Sequence, residues 1–164
     1  MSKIEICPAR PSDLNRLMEI FDHARRFMAS VGNGNQWING YPSSELIARE
    51  IADGHCYVCR DEHENIVGTF CFVPSPDPNY SVIEDGNWLN DAPYYVIHRI
   101  ASDGTCKGIG DTCIAWCAKQ CGNLRADTHQ DNLIMQRLLA RNGFKRCGTI
   151  RVANGTERIA YQRG

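Results

Sequence analysis

The run Tyr94 to Cys121, YYVIHRIASDGTCKGIGDTCIAWCAKQC, constrains this chain more than any other part of it. Its opening, Tyr95-Val96-Ile97 through Ile100-Ala101, is rich in aromatic and β-branched residues that suit a half-buried strand. A turn with Gly104, Gly108 and Gly110 follows. Ile109, Cys113, Trp116, Cys117 and Cys121 then recur on one face of a helix. A strand, a glycine turn and a helix in that order aim bare N–H groups at one point. The first N–H groups of a helix have no internal partner, and the helix dipole favours negative charge there, so the point is an anion site. Glycines would let a phosphate approach the backbone.

Spacing separates the known phosphate loops. A Walker loop needs Lys-Ser or Lys-Thr after its last glycine, and Ile109 follows Gly108. A dinucleotide fingerprint needs a glycine three residues after Gly110, where Cys113 stands. Both patterns fail. Thr105-Cys106-Lys107-Gly108-Ile109-Gly110 instead resembles the Arg/Gln-x-x-Gly-x-Gly/Ala loop of the GNAT superfamily of N-acetyltransferases, with Thr105 in the place of Arg or Gln.

The length of 164 residues is that of one domain, 1–164, with room for a sizeable core. A formal net charge of -1 supplies no general attraction to nucleic acid or a membrane surface. No apolar run approaches the roughly 20 residues that span a bilayer. The start, Met1-Ser2-Lys3-Ile4-Glu5, lacks the apolar core of a signal peptide, so the expected location is cytoplasmic. The nine cysteines are then expected to be reduced and to pack as small hydrophobes. Cys56 and Cys59 have zinc-like spacing but no second pair, and Cys113, Cys117 and Cys121 stack on a helix face. Structural zinc wants four ligands, so no metal is expected. Cys106 has no base identifiable beside it that would make it a nucleophile.

In chain order, Lys3–Cys7 reads as a strand, followed by a helix that Ser12 can cap. The apolar stripe of that helix is Leu14, Leu17, Met18, Phe21, Ala24 and Met28. After the break at Gly32–Trp37, a second helix starts near Ser43 and ends at Gly54. His55–Arg60 and Ile66–Val73 form a hairpin. Residues 74–93 form a long irregular segment with Tyr80, Ile83 and Trp88, of the kind that often serves as a lid or binding loop. A short strand Leu124–Thr128 precedes a helix that Asp131 can cap and that Gly143-Phe144 closes. Asn154-Gly155 signals a two-residue hairpin between the last strands.

The run from Asn132 to Gly143-Phe144 resembles the second GNAT motif, and it lies at the family's distance after the glycine loop. The opening strand–turn–helix and the closing hairpin are also similar to the family, so the resemblance covers nearly the whole chain. It implies an α/β fold of the α+β type: a mixed, mostly antiparallel sheet flanked by about four helices, with a splay between the two central strands. It implies acetyl-CoA as co-substrate, its arm held by Ile100 and Ser102. Gly108, Ile109, Gly110, Asp111 and Thr112 would face the pyrophosphate beside Lys107, and Asn132 would contact the arm. Arg137 and Arg141 are within reach of the outer phosphates or form a solvated face. The loop between the first helices lines the acceptor pocket in this family, which points to Gln36, Trp37 and Tyr41, with Trp88 on the opposite wall.

The reaction implied is direct attack of an amine on the thioester. Many family members carry a Tyr four residues before the Gly of Gly-Phe, as the acid for the departing thiolate; this chain has Leu139. His98 and His129 are the candidate catalytic groups, since histidine titrates in the useful range. Tyr94, Tyr95 and Glu84 are further candidates. The leading expectation is acetylation of a small-molecule amine. Acetylation of a protein N-terminus or lysine, a non-catalytic acyl-CoA sensor, and an unrelated phosphate-binding module stand as alternatives. A homodimer through the C-terminal edge strands is a further expectation.

Overall fold

The computed structural model describes residues 3–164. Its strands are β1 (Glu5–Pro8), β2 (Cys56–Arg60), β3 (Ile66–Pro74), β4 (Tyr95–Ser102), β5 (Leu124–Thr128), β6 (Lys145–Arg151) and β7 (Glu157–Arg163). Four helices accompany them: α1 (Leu14–Ser30), α2 (Ser44–Ala52), α3 (Ile109–Gln120) and α4 (Leu133–Arg141). The strands form one sheet in the order β1-β2-β3-β4-β5-β7-β6, antiparallel except where β4 meets β5. Parallel neighbours need a crossover, and α3 supplies it. This is the mixed, mostly antiparallel sheet with four helices that the resemblance implied.

Strand alternation divides the core between the two faces. On one face, Leu17, Ile20 and Phe21 of α1 and Ile47 and Ile51 of α2 pack on Val58, Cys71 and Ala101. On the other, Ile109, Cys113, Ile114 and Cys117 of α3 and Leu138 and Leu139 of α4 pack on Phe70, Phe72, Ile97 and Ala126. Leu17, Ile20, Phe21, Ile47 and Ile114 are fully buried, which contributes about 1.5–3 kcal/mol for each such side chain. Segment 75–94 covers the first face beyond α1 and α2, where Tyr80 joins Val96, Ile150 and Ala160.

Local details depart from the sequence reading at three places. Ser12 does not cap α1; a tight turn over Pro11–Asp13 precedes the helix, and the Asp13 carboxylate accepts the Arg10 N–H at 2.8 Å. Asn132, not Asp131, caps α4, its Oδ1 accepting the Met135 N–H at 3.0 Å. The last hairpin is closed by three residues, Ala153 to Gly155. The Val152 N–H bonds to the Thr156 carbonyl, and Gly155 has φ +82°. A left-handed third residue matches the right-handed twist of the strands. Ser43 and Gly143 behave as expected. The hydroxyl of Ser43 accepts the Leu46 N–H. Beyond Gly143, at φ +86°, the Phe144 N–H returns to the Leu139 carbonyl at 3.0 Å.

Candidate active site

β4 and β5 pair only at Tyr95–Leu124 and Val96–Arg125, after which they part. The cause lies in β4. His98 opposes Cys71 and Ala101 opposes Thr69, so Arg99 and Ile100 share one position of β3. Arg99 sits at φ +56°, a left-handed conformation that costs a residue with a Cβ about 1–2 kcal/mol. A bulge of this kind bends its strand and ends regular pairing. The gap is a cavity of about 580 Å³. Ile97, Ala126 and Leu139, which belong to the α3/α4 core, line it with Ile100 and Met135. Asp77, His98, Arg99, Asp127 and Arg158 line it as well, and the alternation of β4, β5 and β7 turns His98, Asp127 and Arg158 toward the opposite face. The loop from Gln36 to Ser43 completes the wall. One side of the opening is apolar and the other carries charge of both signs.

His98 Nε2 lies 3.1 Å from Asp77 Oδ2. Burial, the largest single influence, pushes the Asp77 carboxyl up. The hydrogen bond and charge of His98, the Asn79 N–H and the Arg99 cation outweigh it, and Asp77 is held below the usual carboxylate range. An ionised Asp77 accepts, so Nε2 carries the hydrogen and Nδ1 keeps the basic lone pair. His129 is arranged differently. Its Nδ1 accepts the Asp131 N–H at 3.0 Å inside the turn before α4, and the residue is 7% exposed. The lone pair is spent on that turn, and His129 is absent from the cavity wall. Of the two histidines, the structure brings only His98 to the cavity.

On β5, Asp127 accepts the Tyr80 hydroxyl at 2.7 Å. Burial, and then the neighbouring Asp127 charge, push the Tyr80 phenol well up, so it stays a donor. Arg158 Nε is 3.8 Å from the other oxygen of Asp127, and its Nη2 donates to the Gln36 carbonyl at 2.9 Å. The Gln36 side-chain oxygen faces four donors: the Asn132 amide (2.9 Å), the Asn33 amide (3.1 Å), the Thr128 hydroxyl (3.3 Å) and the His129 N–H (3.4 Å). Gln36 thereby ties the α1–α2 loop to the mouth of the splay. Trp37 packs edge-on to Phe21 and to Tyr41, whose hydroxyl accepts Arg99 Nε at 2.8 Å. Arg99 also meets Glu50 at 3.3 Å.

The glycine loop opens α3 as its spacing implied, with Gly108 at φ +75° in the cap position before Ile109 and no side chain capping the helix. A Cβ on Gly108 would meet nothing within 4 Å, whereas one on Gly110 would lie 2.7 Å from Leu138. Gly108 therefore serves the backbone conformation, and Gly110 serves the packing of α3 on α4. The Thr112 N–H makes the first helical bond, to the Gly108 carbonyl at 3.0 Å, which leaves its hydroxyl as the available group. The Asp111 side chain is engaged by Arg141 (3.0 and 2.8 Å) and Asn142, so Arg141 is occupied at the surface. Ile100 lines the cavity. Ser102 lies at the far end of β4, opposite Gly68. Lys107, in the loop, and Ile109, the first residue of α3 and buried in its core, lie outside the cavity. Asn132 lines the cavity, but its oxygen caps α4 and its amide donates to Gln36.

Trp88 is not on the cavity wall. Its ring lies 4.0 Å from the Arg125 guanidinium, which has Tyr94 at 4.0 Å as well, and its N–H donates to the Tyr80 carbonyl. A nearly buried cation is better accommodated against aromatic faces, and Trp88 is used for that. Tyr95 stacks on Phe72, and Glu84 bridges to Thr149 and pairs with Arg151; neither reaches the cavity. Cys56 and Cys59 face opposite sides of the sheet and share no site. Among the described residues, metal-type ligands gather only at Glu50, Asp53 and His55, outside the cavity, with Glu50 already paired to Arg99. Sequence reasoning missed Asp77, Arg99, Asp127 and Arg158. Asp127 and Arg158 stand in strands that carry other polar residues, LRADT and ERIAYQR, so no local signal marked them.

The chain matches the sequence profile of the acetyltransferase (GNAT) family over residues 15–144. No curated protein matches it. Among solved structures, it is similar to a GNAT-family acetyltransferase of Streptococcus agalactiae at 27% identity and a TM-score of 0.88, covering 98% of this chain and 94% of that one. A GNAT-family acetyltransferase of Listeria monocytogenes is similar at 21% identity and a TM-score of 0.74, with the same coverage. A phosphinothricin acetyltransferase of Sinorhizobium meliloti, solved in complex with AcCoA, is 18% identical with a TM-score of 0.65, covering 98% of this chain and 87% of that one. No helix of the described residues is long and apolar enough to cross a membrane.

Proposed function

Because the chain belongs to the acetyltransferase (GNAT) family, we propose that it transfers the acetyl group of acetyl-CoA to the amine of a small molecule. The observation that carries this reading is the parting of β4 from β5 over a cavity that is apolar on one side and charged on the other. The residues present fit such a co-substrate. The β5-facing edge of β4 has no strand partner beyond Val96, and an extended amide-bearing arm can use that edge. The uncapped start of α3, with open space over Gly108, suits a pyrophosphate, and Lys107 adds positive charge. When bound, acetyl-CoA supplies an activated thioester.

The chain's own residues do the rest. The apolar wall of Ile97, Ala126 and Leu139 excludes water from the arm's tip. Gln36, Trp37 and Tyr41 are proposed to wall the acceptor. His98, with Nε2 committed to Asp77, takes the proton of the attacking amine on Nδ1. Leu139, 1% exposed on the cavity wall, offers no hydroxyl for the departing sulfur. The imidazolium of His98, stabilised by Asp77, then returns the same proton to that sulfur. One group thus serves as base and acid.

The test is thermal stability with acetyl-CoA, CoA, ATP and NAD at matched concentrations. A ligand at about 100 times its dissociation constant adds roughly 2.7 kcal/mol. Selective stabilisation by acetyl-CoA and CoA is the expected result, followed by CoA release with a panel of amines. No stabilisation by either would overturn the proposal, and binding without turnover on any amine would favour an acyl-CoA sensor.

A further inference from the structure

The two guanidinium groups on the cavity wall differ in how fully they are used. Arg99 has a carboxylate at 3.3 Å (Glu50) and a phenol oxygen at 2.8 Å (Tyr41). Arg158 has only a carbonyl at 2.9 Å and a long contact of 3.8 Å to Asp127, whose other oxygen already accepts from Tyr80. Arg158 is 8% exposed, and its Nη1 has neither a partner nor contact with solvent. A buried donor without a partner is costly and uncommon, more so on a charged group. The sequence offers no packing reason for a cation there. Arg158 stands in the alternating run Arg158-Ile159-Ala160-Tyr161, where an apolar residue of similar size would fill the position without desolvating a charge.

Arg158 also stands within a short chain of contacts to the proposed base. Arg158 meets Asp127, Asp127 meets Tyr80, and the Tyr80 ring lies 6.5 Å from the ring of His98. The strands that carry Arg158 and His98 flank β5, and both side chains line the same cavity. An amine near His98 and an anionic group near Arg158 therefore belong to one small molecule.

We propose that the acceptor is a carboxylate-bearing amine of the amino-acid type, with Arg158 as the residue that binds its carboxylate. Seating it requires a small movement of the Gln36 loop, since that loop's carbonyl occupies Nη2 and Nη1 is sealed. The carboxylate then takes the unpartnered donor, and Arg158 sets specificity rather than chemistry. The inference rests on the acetyltransferase reading above.

The experiment compares paired acceptors with acetyl-CoA: leucine with isoamylamine, methionine with 3-(methylthio)propylamine, and tyrosine with tyramine. The readout is the ratio of kcat/KM for the acid over that for its decarboxylated partner. The expected wild-type ratio exceeds tenfold for at least one pair. In Arg158→Gln it collapses toward one, chiefly through KM of the acid. Turnover of the simple amines without preference for the acids would overturn the inference and leave the acetyltransferase reading standing. No turnover and no stabilisation by acetyl-CoA would overturn the reading beneath it. An unchanged ratio in an Arg158→Gln protein that melts like the wild type would overturn the assignment to Arg158. If that variant does not fold, Arg158→Lys, which keeps the charge and loses the planar fork, takes its place: a reduced ratio supports the assignment, and an unchanged one overturns it.

Discussion

Asp77 and His98 show how much one contact decides at the scale of the residue. Histidine on a central strand is ambiguous in sequence, and so was the choice between His98 and His129. The distinction is where each lone pair goes: His129 gives its Nδ1 to the Asp131 N–H, and His98 keeps its own free by bonding Asp77 through Nε2. His98→Gln is expected to lower kcat by about 10²-fold or more while acetyl-CoA still raises the melting temperature. An unchanged kcat would remove His98 from the chemistry. Asp77 is held below the usual carboxylate range, so it binds fewer protons folded than unfolded near its titration. Its stabilising contribution is present above the ordinary value of about 3.9 and is lost as the pH falls through the lower folded value. Asp77→Asn should be less stable than wild type at neutral pH, with the gap closing below that range. Denaturant midpoints measured from pH 7 down to pH 2 check this, and a gap that stays constant to the lowest pH would contradict it.

Among the elements, α3 and its glycine loop combine two requirements that the motif does not separate. Gly108 answers to backbone conformation and Gly110 to the approach of Leu138. Gly108→Ala should cost about 1–2 kcal/mol, the strain of a left-handed residue, whatever stands at position 138. Gly110→Ala forces a clash worth about 1–3 kcal/mol, and that cost should shrink in a Leu138→Ala background. Additivity at Gly110 would refute the packing account. At α4, the cap fell one residue away from the sequence expectation because Asn132 faces both the helix and Gln36, and Asp131 faces His129.

The whole molecule supplies the opening itself. A parallel pair that holds for two residues and then parts leaves main-chain groups of β4 without a strand partner in the middle of a seven-stranded sheet. Those β4 amides beyond Ile97 that face β5 should exchange with solvent faster than the amide of Tyr95, which donates to the Asn123 carbonyl at 3.0 Å. Acetyl-CoA should slow them selectively. Hydrogen exchange measured with and without the ligand tests the point, and protection confined to α1 and α2 would place the ligand elsewhere. Segment 75–94 contributes at this scale too. It carries Asp77 to the cavity because Tyr80 and Trp88 pin it to the sheet and Glu84 pairs with Thr149 at the outer edge of β6.

The sequence alone determined the order and type of the elements, the glycine turn at α3, the closure of α4 at Gly143, and the family. These depend on periodicity and on residues with strong backbone preferences, which act over a few positions along the chain. The cavity's charged side was decided only by the tertiary structure. Asp77, Arg99, Asp127 and Arg158 come from four separate segments, and each reads alone as an ordinary surface charge. Trp88 illustrates the converse. An aromatic residue in a polar loop invited a binding role, yet its place was set by Arg125, a buried cation on a strand thirty-odd positions away that required an aromatic face. Charge placement depends on which strands become neighbours and where they part, and no local pattern encodes that.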